Sequence, residues 1–510
     1  MGNRYQHRPL PRLAALTVFA AASVFAAAPV HFEIKLDPAV AKGTTSGRLL
    51  VLMSTKAPRG ERVETSFIPG ETFISGMEIT AWKPGETISF DPDANAFPTP
   101  FSKAKPGDYW IMALLDPNHS YAYHGTDGGD LYGPVLEQKA FNPAEGGTVT
   151  LALNKVVEPR KLPDNESIKL VEFVSPSLSA FWGRRITMRA GVVLPPGYSA
   201  TPSRNFPTVY EIHGFGGDYT GAWGRGPRLI NNMKKGDMSE KVFVFLDASF
   251  RTGHHVFADS VNNGPWGHAL TAEFIPYLEK QFHLIAEPRA RLLTGHSSGG
   301  WSTLWLQVTY PDFFGGTWST SPDPADLRSF TGVNATPGST QNFYLSTDGS
   351  PLNLVRMHGK DLASMREFVR QEEVTGEYGG QMASFEWVFS PRGEDGRPMK
   401  LFNRVTGELD PVVLAAWEKY DIRKTLARDW DTLGPKLKGK IHIVVGDQDN
   451  FHLEVPTIMT CDFLKSKGQD VCEIVPGRDH MDLYGEYKTY PRGLEIRIDQ
   501  EMTKVLGIVQ

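Results

Sequence analysis

A chain of 510 residues, 40% hydrophobic and 22% charged, fits a globular protein of two domains, three at most. Its formal charge of −5 offers no basic footprint for nucleic acid, so no such partner is expected.

Arg4, Arg8 and Arg12 precede an apolar run over 13–28 that ends in small residues, with Val24-Phe25-Ala26 as an acceptable cleavage site. This reads as a cleavable secretory signal over 1–28, and its apolar stretch of 16 residues is short for a membrane span. Removing it takes away three arginines and no acid, leaving −8 on the mature chain. The protein is therefore expected to be secreted or periplasmic, with no stable membrane span.

Residues 29–155 read as short strands between Gly/Pro turns. His31-Phe32-Glu33-Ile34-Lys35-Leu36 alternates cleanly, and apolar runs at 48–53, 109–115 and 148–153 follow. The expectation is a small all-β sandwich of immunoglobulin-like type with no catalytic grouping of its own. A charged, Pro-containing linker over 156–167 leads out of it.

From 168 to 510 strands and helices alternate, which argues for a mostly parallel sheet covered on both faces. Strands are expected at 186–194, 207–212 and 241–246, and an amphipathic helix over 270–282. The strand at 207–212 opens into His213-Gly214-Phe215-Gly216-Gly217-Asp218, a turn whose small residues would let backbone N–H groups approach a substrate. Trp266, in Asn263-Gly264-Pro265-Trp266-Gly267-His268, is a candidate for the pocket wall.

The apolar segment 290–294 runs into Gly295-His296-Ser297-Ser298-Gly299 and then a helix from about 298 to 310. A serine at the tip of a strand–turn–helix, with glycine two residues to each side, has the form of a nucleophile elbow. About 120 residues, from 321 to 439, then form an insertion longer than the connection requires. Helices are expected there at 357–371 and at 412–420, the second capped by Asp410 with Pro411 in its first position. An insertion placed here can cap a site, which makes Trp387 a candidate substrate contact or, equally, a packing residue of the insertion's own core.

The β-branched run at 440–445 ends in Gly446-Asp447-Gln448-Asp449, and the strand at 471–476 ends in Gly477-Arg478-Asp479-His480. Asp449 is the candidate acid with Asp447 as its neighbour and rival, and His480 is the candidate base with His452 as competitor. Ser, Asp and His then occur in the chain order of an α/β-hydrolase triad. Ser297 would attack a carbonyl, His480 would take its proton, and Asp449 would hold the imidazole. The oxyanion would meet the N–H of Ser298 and that of Phe215 or Gly216. No metal-ligand spacing occurs, and no cofactor is expected. Cys461 and Cys472 lie 11 residues apart and form a disulfide candidate in an oxidising compartment, with a pair of reduced buried thiols as the alternative.

The segments Val209-Tyr210-Glu211-Ile212-His213-Gly214, Gly295-His296-Ser297-Ser298-Gly299-Gly300 and Gly477-Arg478-Asp479-His480 together resemble the esterase branch of the α/β-hydrolases. That branch includes esterase D, enterochelin esterase and feruloyl esterase domains. The resemblance covers roughly 168–508, departs from the small members through the long insertion, and implies carboxylic-ester hydrolysis with Ser297, Asp449 and His480 as triad. The expected partner is a small-molecule or glycan-linked ester. An acyltransferase on the same site and a non-catalytic binding module are the competing readings; neither substrate nor oligomeric state is read from the sequence.

Overall fold

A computed structural model of the chain describes residues 1–2, 28–66, 70–198 and 204–507. The segment read as a secretory signal lies almost wholly outside the described residues. Among the described residues no helix is long and apolar enough to cross a membrane.

Two sheets pack face to face in the N-terminal part. The smaller runs Thr87–Phe90, His31–Leu36, Thr148–Leu153; the larger is built around Gly107–Asp116, Thr45–Ser54 and Thr72–Trp82. His31–Leu36 alternates because only one face is inward, and Phe32, Ile34 and Leu36 bury with Leu49, Val51 and Met53. Thr45–Ser54 does not alternate because it is buried on both sides. Leu50 and Leu52 point the other way and pack with Val374, from the late insertion.

The second unit is an eight-stranded sheet: β1 (Ile168–Val174), β2 (Thr187–Val193), β3 (Thr208–Ile212), β4 (Val242–Leu246), β5 (Arg291–His296), β6 (Gly316–Thr320), β7 (Ile441–Gly446) and β8 (Cys472–Val475). Its spatial order is 1-2-4-3-5-6-7-8, with β2 antiparallel to both neighbours and the rest parallel. This is the α/β-hydrolase arrangement expected from the sequence. Its helices include α1 (Gly221–Lys234), α2 (Ile275–Gln281), α3 (Ser298–Thr309), α4 (Met365–Thr375), α5 (Gln381–Phe389), α6 (Glu454–Ser466) and α7 (Leu494–Val505). Leu292 of β5 packs on the face covered by α1 and α7, and Leu293 on the face covered by α2 and α3. Because both faces are dry, β4 reads Val-Phe-Val-Phe-Leu with every residue buried.

The insertion differs from its sequence reading in one place. The single helix expected over 357–371 is a hairpin, Asn353–Met357 with Lys360–Ser364, followed by α4. His358 and Gly359 both take positive φ, 49° and 72°, which is the backbone of a tight two-residue hairpin turn. Ser364 and Glu367 then form a capping box that starts α4 anew. The second expected helix is present as Pro411–Trp417, and the Asp410 carboxylate accepts from the N–H groups of Val412 and Val413. Cys461 of α6 and Cys472 of β8 are joined as a disulfide.

Candidate active site

Ser297 sits between β5 and α3 at φ 58° and ψ −125°, a conformation that costs a non-glycine residue energy and persists only where its surroundings impose it. They do so here from three sides. The Ser297 N–H donates to Thr320 O at 3.0 Å, and its carbonyl accepts from Trp301 at 3.0 Å as the first bond of α3. Gly295 and Gly299 let the turn fold on itself: a Cβ on Gly299 would overlap the carbonyl oxygens of Ile212 and His213, and one on Gly295 would overlap that of Gly299. The glycine spacing is thus a consequence of β3 and the head of α3 lying in contact.

The turn after β3 closes with a Gly217 N–H to Gly214 O bond of 3.1 Å, with Gly216 at φ 80°. Gly214 abuts the serine, since a Cβ there would stand 3.2 Å from Ser297 Cβ. Two histidines brace this turn. Ala248 donates its N–H to His213 Nε2 at 2.9 Å, so Nδ1 carries the proton and donates to Gly214 O at 2.8 Å. Val256 likewise donates to His254 Nδ1, leaving His254 Nε2–H to donate to His213 O at 2.9 Å. Burial holds His254 and His255 far below the usual imidazole range, so both stay neutral.

Beyond β7 and β8, His480 Nδ1 and Asp449 Oδ2 are 2.7 Å apart. The other carboxylate oxygen accepts from Phe451 N–H at 2.9 Å, and Asn450 Oδ1 accepts from the His480 N–H at 3.1 Å. Burial alone would raise the Asp449 pKa, but the His480 hydrogen bond and charge outweigh it and the net shift is downward. The rival Asp447 instead accepts from the Gly477 N–H at 2.8 Å, which ties the β7 turn to the β8 turn. His296 contacts the His480 ring at a centroid distance of 4.3 Å; burial, then the nearby His480, lowers it to about 3 and keeps it neutral. The insertion fixes this loop: Arg356 of its hairpin donates to Asp449 O at 2.8 Å and pairs with Glu454 at 2.7 Å.

A further carboxyl group, absent from the sequence reading, stands beside the serine. Asp323 follows β6, is 2% exposed, and accepts from Ser298 Oγ at 2.5 Å, while its N–H donates to Ser297 O at 3.2 Å. Burial pushes its pKa up to about 6, against the opposing effect of its bonds from Ser298 and Ser297 and of nearby His480. The signal for it was its place directly after a strand end, where such sheets carry their sites.

The two tryptophans expected at a pocket lie elsewhere. Trp266 is 2% exposed and stacks on His255 with ring centroids 3.7 Å apart, so it is a core residue and not a wall. Its apolar ring and Gly/Pro context suit a buried turn as well as a rim. Trp387 is on α5, near Tyr378, and lines a separate cavity of about 750 Å³ within the insertion. A larger cavity of about 1370 Å³ runs behind the 214–217 turn; neither Ser297, Asp449 nor His480 lines it. Hydrogen bonding, not cavity size, marks the candidate site.

Comparison with known proteins adds a family. Residues 179–457, more than half of the chain, match the family model described as "Putative esterase". No curated protein sequence matches. The chain is similar to the solved structure of a ferulic acid esterase, with 14% identity over 67% of this chain and 100% of that one, at a TM-score of 0.40. It is similar to FphF, a fluorophosphonate-binding serine hydrolase of Staphylococcus aureus, with 14% identity over 66% and 98% of the two chains and a TM-score of 0.37. It is also similar to the ferulic acid esterase AmCE1/Fae1A of Anaeromyces mucronatus, with 17% identity over 68% and 95% and a TM-score of 0.35.

Proposed function

The chain belongs to the esterase family and is a carboxylic-ester hydrolase, and from that premise we propose that it is an exported serine esterase in which Ser297, His480 and Asp449 form the triad. The observation that carries the reading is the 2.7 Å His480 Nδ1–Asp449 Oδ2 bond, with the His480 ring in contact with His296, the residue before a serine of positive φ.

With Asp449 ionised, Nδ1 of His480 carries the proton and Nε2 presents a lone pair. Nε2 takes the proton of Ser297 as Oγ adds to the ester carbonyl. The tetrahedral oxyanion is met by the N–H groups of Ser298 and of Phe215 or Gly216. Collapse expels the alcohol, which receives the proton from His480, and leaves an acyl-serine. Water then attacks with His480 again as base, releasing the acid. The substrate is a small-molecule or glycan-linked carboxylic ester. Export is supported by the Arg-led apolar segment over 1–28 and by the Cys461–Cys472 disulfide.

The test is hydrolysis of p-nitrophenyl acetate and methyl ferulate by the mature protein beside Ser297→Ala and His480→Ala, with fluorophosphonate labelling of each. Turnover and labelling lost in folded Ser297→Ala support the mechanism. Turnover that survives both substitutions rejects it.

A further inference from the structure

The N-terminal sandwich contains none of the groups assigned to the reaction, yet one of its turns reaches them. The short helical turn Tyr121–His124 presents Tyr123 to the 214–217 turn. The Tyr123 hydroxyl donates to Gly217 O at 2.9 Å. Its ring meets Phe215 edge-on at a centroid distance of 4.8 Å. The backbones also touch, for a Cβ on Gly216 would lie 3.2 Å from Tyr123 O. Three successive residues of the turn therefore lean on one tyrosine from a separate sheet system.

We propose that Tyr123 is a positioning residue for the oxyanion turn, so that the sandwich is a working part of the active site and not an appended module. This rests on the serine-esterase reading above, in which Phe215 or Gly216 supplies an oxyanion donor.

Oxyanion stabilisation depends on donors held in place before charge develops, and a turn rich in glycine supplies little rigidity of its own. His213 and His254 hold the entry to the turn at Gly214 O and His213 O. Tyr123 holds its far end, at Phe215, Gly216 and Gly217. A brace must itself be fixed, and Tyr123 is 5% exposed. The insertion backs it from the opposite side: a Cβ on Gly379 would meet His119 O at 3.2 Å and Tyr123 N at 3.5 Å, and the His119 and Tyr378 rings are 5.9 Å apart. Arg48 of the sandwich ties the insertion at a separate point, donating to Val374 O at 2.7 Å and Glu373 O at 3.2 Å. Burial raises the phenol far above its usual range, so the hydroxyl remains a donor throughout the working pH range.

A residue that merely glued two units together would alter stability and leave the chemical step alone. The experiment therefore compares kcat, KM, thermal midpoint and inhibition by a boronic acid, a mimic of the tetrahedral oxyanion, in the full mature chain with p-nitrophenyl acetate. Tyr123→Phe removes the hydroxyl's bond to Gly217 and its interaction with the Gly216 backbone while keeping the ring, and should lower kcat about tenfold with KM within twofold, weakening boronic-acid binding by the same factor; loss of a whole oxyanion donor costs about 10²–10³. Tyr123→Ala, if it folds, should fall further. Arg48→Ala, which loosens the same interface away from the turn, should lower the thermal midpoint and leave kcat unchanged. The proposal is overturned by unchanged kcat in folded Tyr123→Phe, by a rise in KM alone, or by an equal loss of kcat in Arg48→Ala. Ser297→Ala in the same assay separates the two readings: a wild type no faster than that variant rejects the serine mechanism itself, and the positioning role with it. A fast wild type with an indifferent Tyr123 rejects only the latter.

Discussion

Asp323 accepts the Ser298 hydroxyl at 2.5 Å, one residue from Ser297 and out of contact with solvent. Its pKa is raised to about 6 by burial, so the native state holds its proton more tightly than the unfolded chain does. The sign follows from linkage: the folded protein binds more protons between the ordinary carboxylate pKa and about 6, so stability falls as pH rises through that window. Asp323→Asn keeps an acceptor for Ser298 and cannot ionise. It should be more stable than the wild type at pH 8, by about 1–3 kcal/mol, with the gain gone at pH 4. Thermal midpoints at the two pH values check this. An equal effect at both would show that ionisation of Asp323 is not the cause.

The two aspartates after β7 differ in what they hold. Asp449 accepts from His480, whereas Asp447 accepts from the Gly477 N–H. Asp449→Asn should drop kcat by about 10⁴ through the wrong imidazole tautomer, with the protein still folded. Asp447→Asn should stay within a few-fold of wild type, since an amide oxygen can still accept from Gly477. Because the Asp449 pKa is depressed, its stabilising contribution is present at neutral pH and is lost as pH falls through its lowered value. Parallel kcat measurements on the two variants decide the assignment, and equal losses would undo it.

A methyl group tests the elbow. Gly299→Ala would place a Cβ against the carbonyls of Ile212 and His213, both backbone atoms of the β3 exit that cannot move independently. Overpacking of this kind costs about 1–3 kcal/mol. Here it should also separate the Ser297 turn from the 214–217 turn, so activity should fall by more than the loss of folded protein explains. Denaturant midpoints beside kcat in Gly299→Ala measure both; a variant of wild-type stability and rate would contradict the close approach.

The Gly295–Gly299 turn and the Asp449–His480 pair were legible because each is written locally. Gly295 and Gly299 are needed for a backbone contact beside Ser297, and Asp449 and His480 each follow an apolar run that ends in a glycine turn. What escaped depends on contacts between distant segments. Asp323 is one carboxylate among many until β6 and α3 bring it to Ser298. Tyr123 meets Gly217 across 94 residues of sequence. The hairpin before α4 was hidden because its apolar residues also fit a helical period, and His358-Gly359 is a weak turn signal beside that pattern. Trp266 was misplaced for a similar reason: aromatic residues near strand ends serve cores and rims alike, and only its stacking on His255 separates the two.

The disulfide ties α6, which follows the Asp449 loop, to β8, which leads to His480. Its sequence separation of 11 residues corresponds to about 2–3 kcal/mol of chain-entropy stabilisation. Cys461→Ser with Cys472→Ser should therefore lower the unfolding free energy by that amount, read from the denaturant midpoint and slope. The catalytic rate of the folded fraction should persist, because the His480–Asp449 bond and the Arg356 anchor do not pass through the cysteines. Dithiothreitol on the wild type should reproduce the loss and have no effect on the double variant. If reduction instead abolished kcat before any unfolding, the bridge would be fixing the acid–base geometry directly rather than restraining the unfolded chain.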